Sequence, residues 1–266
     1  MVGKASVPVD WEKDSQSFDG VADLYETYRP SYPAELIDEV IILSGIQPGG
    51  EILEVGSGTG KATRLFAQRG FSLLCLEPGQ NLIDVAKGQL NDYPQVRFER
   101  SRFEEWEANQ RKFDLLISAQ AFHWVPQEVR FVKAASALKP QGHIALFWNM
   151  YPGDESVKRE LDEIYRQYAP ELVKENILPE QLIQERAASL QAEKQFEKVI
   201  VRSYPWAAQY KTEMYLGLLN TYSDHLRLPE QRRLALLGAI AELIEQHGGL
   251  IEKPYLAVLY MAQRKK

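Results

Sequence analysis

The sequence predicts an α/β fold: a mostly parallel sheet of seven strands, helices on both faces, and a helical cap insertion late in the chain. Three observations carry this. Short apolar runs alternate with helix-length segments from residue 51 to residue 148, the rhythm that right-handed βαβ crossovers produce. A glycine-rich turn, Gly56-Ser57-Gly58-Thr59-Gly60, stands at the first strand-to-helix junction. After Asn149 the alternation gives way to helical spacing, and strands return only beyond residue 195.

Taken in order, the first 20 residues are polar and read as loose. Pro30 disfavours helix at Arg29, and Pro33 opens a helix carrying Leu36, Ile37, Val40 and Ile41 on one face, which ends near Gly45. Glu51 to Val55 is the first strand. Thr59 to Arg69 is helical, with Leu65 and Phe66 inward and Gly70 ending it. Phe71 to Leu76, Val96 to Glu99 and Phe113 to Ser118 are the next three strands, with a helix over Leu82 to Leu90 between the first two. Pro126 to Leu138 is helical, and the turn Lys139-Pro140-Gln141-Gly142 leads into a fifth strand, His143 to Trp148. Val157, Leu161, Ile164, Tyr165 and Tyr168 fall at helical spacing, and a further helix spans about Pro179 to Lys194. A strand from Val199 to Tyr204, helices over Thr212 to Thr221 and Pro229 to His247, and a strand from Tyr255 to Met261 complete the chain.

The 266 residues are 45% hydrophobic and 26% charged, an ordinary globular composition for a chain long enough to bury a large core. A net charge of -6 without a Lys/Arg-rich block argues against nucleic acid as partner. No apolar stretch approaches 18 residues and the first ten lack a signal-peptide core, so a soluble, cytoplasmic protein without membrane contact is expected. The one cysteine, Cys75, sits in the apolar run Leu73 to Leu76 and reads as a small core residue. No Cys/His cluster has metal-ligand spacing, so no metal is expected.

Chemistry concentrates at the carboxyl ends of the strands, where open α/β sheets bind ligands. In Glu54-x-Gly56-x-Gly58-x-Gly60 the third glycine falls one position earlier than in the dinucleotide pattern, which would put it at Lys61. Glu77 ends the second strand, 23 residues after Glu54, beside Pro78. An acid there can accept both hydroxyls of a ribose; alone, it would be a solvated strand-end carboxylate. Arg102 and Phe103 follow the third strand and offer a guanidinium and a ring that could lie on a base, although Phe103 also suits the core. The fourth strand runs out through Ala119-Gln120-Ala121-Phe122-His123-Trp124. There His123 is a general base, a hydrogen-bond partner of the substrate, or an anchor for the loop.

The glycine spacing, with the acid two residues before its first glycine, resembles motif I of the class I S-adenosylmethionine-dependent methyltransferases. The His-Trp exit loop is similar to that of the small-molecule enzymes grouped with trans-aconitate and ubiquinone-pathway methyltransferases. The segments Phe18 to Ala22 and Tyr28 to Pro33, and Thr221-Tyr222-Ser223 with Gly248-Gly249, extend the likeness over most of the chain. It implies a Rossmann-like fold in one domain, 1–266: a helical segment 1–45, a cofactor-binding core 46–150, a helical cap 151–195, and 196–266 completing the sheet.

It further implies S-adenosyl-L-methionine as cofactor, leaving as S-adenosyl-L-homocysteine. The residues expected to hold it are Tyr25, Arg29, Glu54, Gly56, Ser57, Gly58, Gly60, Glu77, Pro78, Arg102, Phe103, Ala119, Gln120 and Phe122. The partner is a small-molecule acceptor, met by some of Tyr28, Trp124, Trp148, Tyr151, Trp206, Tyr210 and Tyr222. Two other readings compete: a nicotinamide-dependent oxidoreductase on a similar sheet, and a cofactor-binding regulator without catalysis.

Overall fold

The computed structural model describes residues 18–152, 157–173 and 179–266; residues 1–17, 153–156 and 174–178, within the predicted amino-terminal stretch and cap, lie outside the described residues. Helices α1 (Ala22–Tyr28) and α2 (Ala34–Ser44) precede β1 (Glu51–Val55). Then follow α3 (Lys61–Ala67), β2 (Ser72–Glu77), α4 (Gln80–Gln89), β3 (Val96–Arg100), β4 (Phe113–Ala119), α5 (Gln127–Ala137) and β5 (Leu138–Met150). The rest is α6 (Lys158–Tyr168), α7 (Pro179–Gln191), β6 (Phe196–Lys211), α8 (Thr212–Leu219), α9 (Ser223–Leu226), α10 (Glu230–Gln246) and β7 (Leu250–Arg264).

The seven strands form one sheet in the order β3-β2-β1-β4-β5-β7-β6. The first five are parallel, and β7 runs antiparallel between β5 and β6. Strand alternation divides the central residues between two cores. Leu53, Val55, Leu74 and Leu116 pack with Phe131 and Ala134 of α5 on one face. Ile52, Leu73, Cys75 and Leu115 pack with α2 and α3 on the other, through Leu36, Ile37, Val40 and Phe66. Burial on both faces is why these strands read as near-continuous apolar runs. A third core lies under α6, α8 and α10, against Tyr210 and Tyr255 of the β6–β7 ribbon.

The strands outrun their sequence signals in three places. The expected turn at Lys139 to Gly142 is a bulge within β5: Phe113 pairs with Leu138 and Leu115 with His143, while Gln141 adopts a φ of 65°. Strand β6 continues seven residues past Tyr204 through Pro205, and β7 begins before Pro254. Proline is tolerated where a strand has an open edge. Strand β6 is the sheet's edge, and Pro254 lies beyond Met150↔Leu256, the last β5–β7 pair. Residues 18–20, read as loose, belong to a helical turn whose Asp19 carboxylate accepts the backbone N–H groups of Asn81 and Leu82 at the start of α4. Among the described residues no helix is long and apolar enough to cross a membrane, and no group of three or more His, Cys, Asp or Glu could hold a metal ion.

Candidate active site

The glycine turn leaves β1 and is pinned to β2 by the N–H of Gly56, which donates to the Leu76 carbonyl at 2.8 Å. Two glycines show why no other residue serves. Gly56 has a φ of 71°, and a Cβ there would stand 2.3 Å from that of Ala121 on the β4 exit loop. Any side chain would therefore push the two loops apart. Gly58 has a φ of 55° with open space where its Cβ would point.

Glu77 closes the turn from below: its two carboxylate oxygens accept the N–H groups of Gly58 at 2.9 Å and Gly79 at 3.0 Å. Burial pushes its carboxyl up to about 7 in spite of those two donors. Across the sheet Gln120 carries strain at the end of β4, with a φ of 61°. Its N–H donates to Phe147 O and its amide to Asn149 O.

Two cavities meet at this point. The first, of about 330 Å³, is walled by Gly56, Gly58, Glu77, Pro78, Arg102 and Phe103 and by the β4 exit loop from Ala119 to Val125 apart from Phe122, with Phe18, Tyr25 and Arg29 above. The second, of about 620 Å³, lies toward the cap and the β6–β7 ribbon; both volumes are in the range of ligand sites. Its walls include Ser57, Trp148, Tyr151, Leu182, Arg186, Tyr222, Lys253 and Tyr255. Gly56, Gly58, Ala119, Gln120 and His123 line both, under Tyr25 and Arg29. No Asp or Glu side chain lines the second cavity among the described residues, whereas Arg29, Lys61, Arg186 and Lys253 do.

Helix α1 is strapped across the junction. Glu26 accepts from Thr59 Oγ1 at 2.7 Å and pairs with Arg64 at 3.0 Å and Lys61 at 3.4 Å. Arg29 donates from Nε and Nη2 to Thr221 Oγ1 and O, and its guanidinium lies 4.4 Å from the Tyr222 ring centroid.

His123 sits where the cavities join. The indole N–H of Trp148 donates to its Nδ1 at 3.3 Å. Indole can only donate, so the neutral ring carries its proton on Nε2. The residue is exposed to the cavity space, yet the packing around its ring, with Arg186 and Arg130 nearby, lowers its pKa to about 4. The ring is therefore neutral at pH 7, its free nitrogen a donor and its basic lone pair already engaged. That favours a contact to the acceptor over a general base.

Several anticipated residues stand outside both cavities. Glu54 is fully buried on the far side of β1, where its carboxylate accepts from Thr63 Oγ1 at 2.6 Å. Gly60 caps α3 against Leu90. Phe122 is core, packed between Phe103 and Phe131. Tyr28 packs on Gly217, and Trp206 stacks on Tyr255 at 4.8 Å while donating to Asn149 Oδ1. The Tyr210 hydroxyl is bonded to that of Tyr255 at 2.9 Å. Trp124, expected beside the acceptor, lines the first cavity. The reading missed Phe18, Arg186, Lys253 and Tyr255. Phe18 opens one of the segments quoted for the resemblance, but the other three carry no local signal, since only the return of the cap and of β7 brings them here.

A methyltransferase-domain family model matches residues 52–142, from β1 to the β5 bulge. An uncharacterized methyltransferase of Mycobacterium tuberculosis is 27% identical over 93% of both chains. An uncharacterized methyltransferase-like protein of Schizosaccharomyces pombe is 28% identical over 80% of this chain and 79% of its own. Among solved structures, a putative type II methyltransferase from Anaeromyxobacter dehalogenans superposes with a TM-score of 0.64 at 18% identity, covering 89% of this chain and 98% of its own. A phosphoethanolamine N-methyltransferase of Haemonchus contortus, bound to phosphomonomethylethanolamine and S-adenosylhomocysteine, does so at 0.54 and 14% identity, over all of this chain and 62% of its own. Residues 52–142 thus match a methyltransferase domain, and that match with the relatives indicates an S-adenosylmethionine-dependent methyltransferase, on a fold shared with the solved methyltransferases. The nicotinamide-dependent alternative falls with that assignment.

Proposed function

We propose that the chain methylates a small-molecule acceptor, with S-adenosyl-L-methionine in the first cavity and the acceptor in the second. The junction of the two cavities at Gly56, Gly58, Ala119, Gln120 and His123 carries this reading, because transfer needs donor and acceptor in line with water excluded. When bound, the cofactor supplies a methyl group already activated on a sulfonium, so no covalent nucleophile is needed.

The residues present suit it. The open face of Gly58 admits a ligand against the backbone. Glu77 keeps lone pairs for ribose hydroxyls after accepting its two N–H groups. The Nη1 of Arg29, which lines both cavities, remains for a carboxylate, while the buried Ser57 Oγ, without a protein partner, lies on the side of the second cavity. Arg102 and Phe103 flank the space for the base. His123 donates from Nε2 to the acceptor, and Trp148, Tyr151 and Tyr222 give that side an apolar, aromatic wall. A cationic amine acceptor is disfavoured by a wall whose described residues include cations and no carboxylate.

The test is calorimetric titration of wild type and Glu77→Ala with S-adenosylmethionine and S-adenosylhomocysteine. Hydrogen bonds to a charged group contribute about 1.5–3 kcal/mol, so the variant should bind roughly 10- to 150-fold more weakly. A folded wild type that binds neither compound would refute the proposal.

A further inference from the structure

Behind His123 the acceptor cavity adjoins a niche of about 110 Å³ that the methyl-transfer reading leaves unused. His123, Trp148 and Arg186 line both spaces. Arg130 of α5, Arg186 of α7 and Tyr260 of β7 face the niche, and each brings a buried polar atom without a hydrogen-bond partner: Arg130 Nε, Arg186 Nη1 and the Tyr260 hydroxyl. Tyr260 is only 1% exposed. Buried polar groups are nearly always satisfied; Arg186 and the Tyr260 hydroxyl act on each other, and the N–H groups that this leaves over, with Arg130 Nε, point to a missing acceptor of hydrogen bonds.

The charges agree. Arg186 is held 4.2 Å over the Trp148 ring, and Arg130 is tethered by a 3.2 Å bond from Nη2 to Ser189 Oγ. Burial presses on both guanidiniums, and the one carboxylate acting on them, Glu193 near Arg130, is not in the wall. The same two cations help keep His123 neutral. Among the described residues no carboxylate lines the niche beside these two partly desolvated cations, which have N–H groups to spare.

Resting on the proposed function, we infer that this niche is a carboxylate subsite: the methyl acceptor carries a carboxylate that Arg130, Arg186 and Tyr260 hold, away from the reacting atom. A carboxylate brings only acceptors, about four lone-pair sites on two oxygens, and its planar shape matches a guanidinium fork. Against the roughly 30 Å³ that a water occupies in the liquid, the niche has room for such a group and little beyond it. The rest of the acceptor then extends past His123 toward the glycine turn.

The experiment titrates the S-adenosylhomocysteine-saturated protein with benzoate and phenylacetate, with benzamide and phenylacetamide as uncharged matches, and with inorganic phosphate. Wild type should bind at least one acid 10-fold or more tighter than its amide. Arg186→Gln, Arg130→Lys and Tyr260→Phe should each erase most of that preference. Affinity for S-adenosylhomocysteine should stay within twofold in all three, because none of these residues lines the cofactor cavity; that control also reports folding. Amides binding as well as acids, no binding of either acid, variants that keep the preference, or a stronger preference for phosphate would each overturn the carboxylate subsite. Loss of S-adenosylhomocysteine binding by wild type would instead strike the reading on which it rests.

Discussion

Replacing Glu54 by glutamine should make the protein more stable above neutral pH and leave it little changed in mild acid. The carboxyl is fully buried, with one oxygen bonded to Thr63 and the other without a partner. Burial is the largest influence on it; the Thr63 and Cys75 hydrogen bonds oppose burial, the charge of Glu77 adds to it, and the result stands at about 7 against an ordinary 4.5. Each tenfold is worth 1.36 kcal/mol, so the protonated form is favoured in the folded state by about 3 kcal/mol. The sign follows from proton counts. Below pH 4.5 both states hold the proton and the contribution is complete. Between 4.5 and 7 the unfolded chain releases it while the folded protein keeps it, so stability declines with rising pH. From pH 5 to pH 8 the loss is about 2.5 kcal/mol. The amide of Glu54→Gln does not titrate, so the difference between the two proteins reports Glu54 together with its coupling to Glu77. Urea unfolding of both at pH 5, 6, 7 and 8 reads it. The variant should gain about 2–3 kcal/mol on wild type across that range, whatever constant offset its extra N–H adds. Parallel stability curves would show that Glu54 titrates normally and refute the argument.

Two further expectations concern the site itself. Gly58→Ala forces an L-residue to a φ of 55°, a strain of about 1–2 kcal/mol, and places a methyl group in the cofactor space. Its Tm should fall by a few degrees and its S-adenosylhomocysteine affinity at least 10-fold, and unchanged affinity on calorimetry would argue that the ligand lies elsewhere. With His123 held neutral down to about pH 4, it should add no inflection near pH 6.5 to S-adenosylhomocysteine production beyond that of Glu77 at about 7. An inflection there that disappears in His123→Ala would restore the general base.

The parallel half of the sheet was legible because each of its signals is local. Apolar runs, helix-length spacers and the glycine turn are all written within β1 to β5, and Glu77 follows at a fixed distance along the chain. The same locality misled at Glu54, whose place beside the glycines suggests ligand contact. Strand alternation puts it on the face of Ile52, toward α3 and away from the cavities. The ribbon of β6 and β7 was foreshortened because Pro205 and Pro254 read as strand ends, whereas each has an open edge in the sheet. Arg130, Arg186 and Tyr260 were beyond sequence reasoning, being distant residues on three elements that meet only through packing.

The place of β7 inside the sheet has a bearing on how the chain is made. Strand β5 ends at residue 150, and the strand that must lie beside it begins at residue 250. At about 5–20 residues per second, a ribosome needs roughly 5–20 s to cross that interval. For that time β5 offers a bare edge of unpaired backbone, and β6, already synthesized, has no neighbour to dock on. Such edges invite pairing with the wrong partner. The bulge at Lys139 to Gly142 bounds the waiting edge, His143 to Met150, on its amino-terminal side, and bulges are among the devices that discourage edge-to-edge pairing. A nascent chain arrested before residue 250 would therefore hold a glycine turn and Glu77 but neither Lys253 nor Tyr255, and would be the species on which a chaperone has most to act.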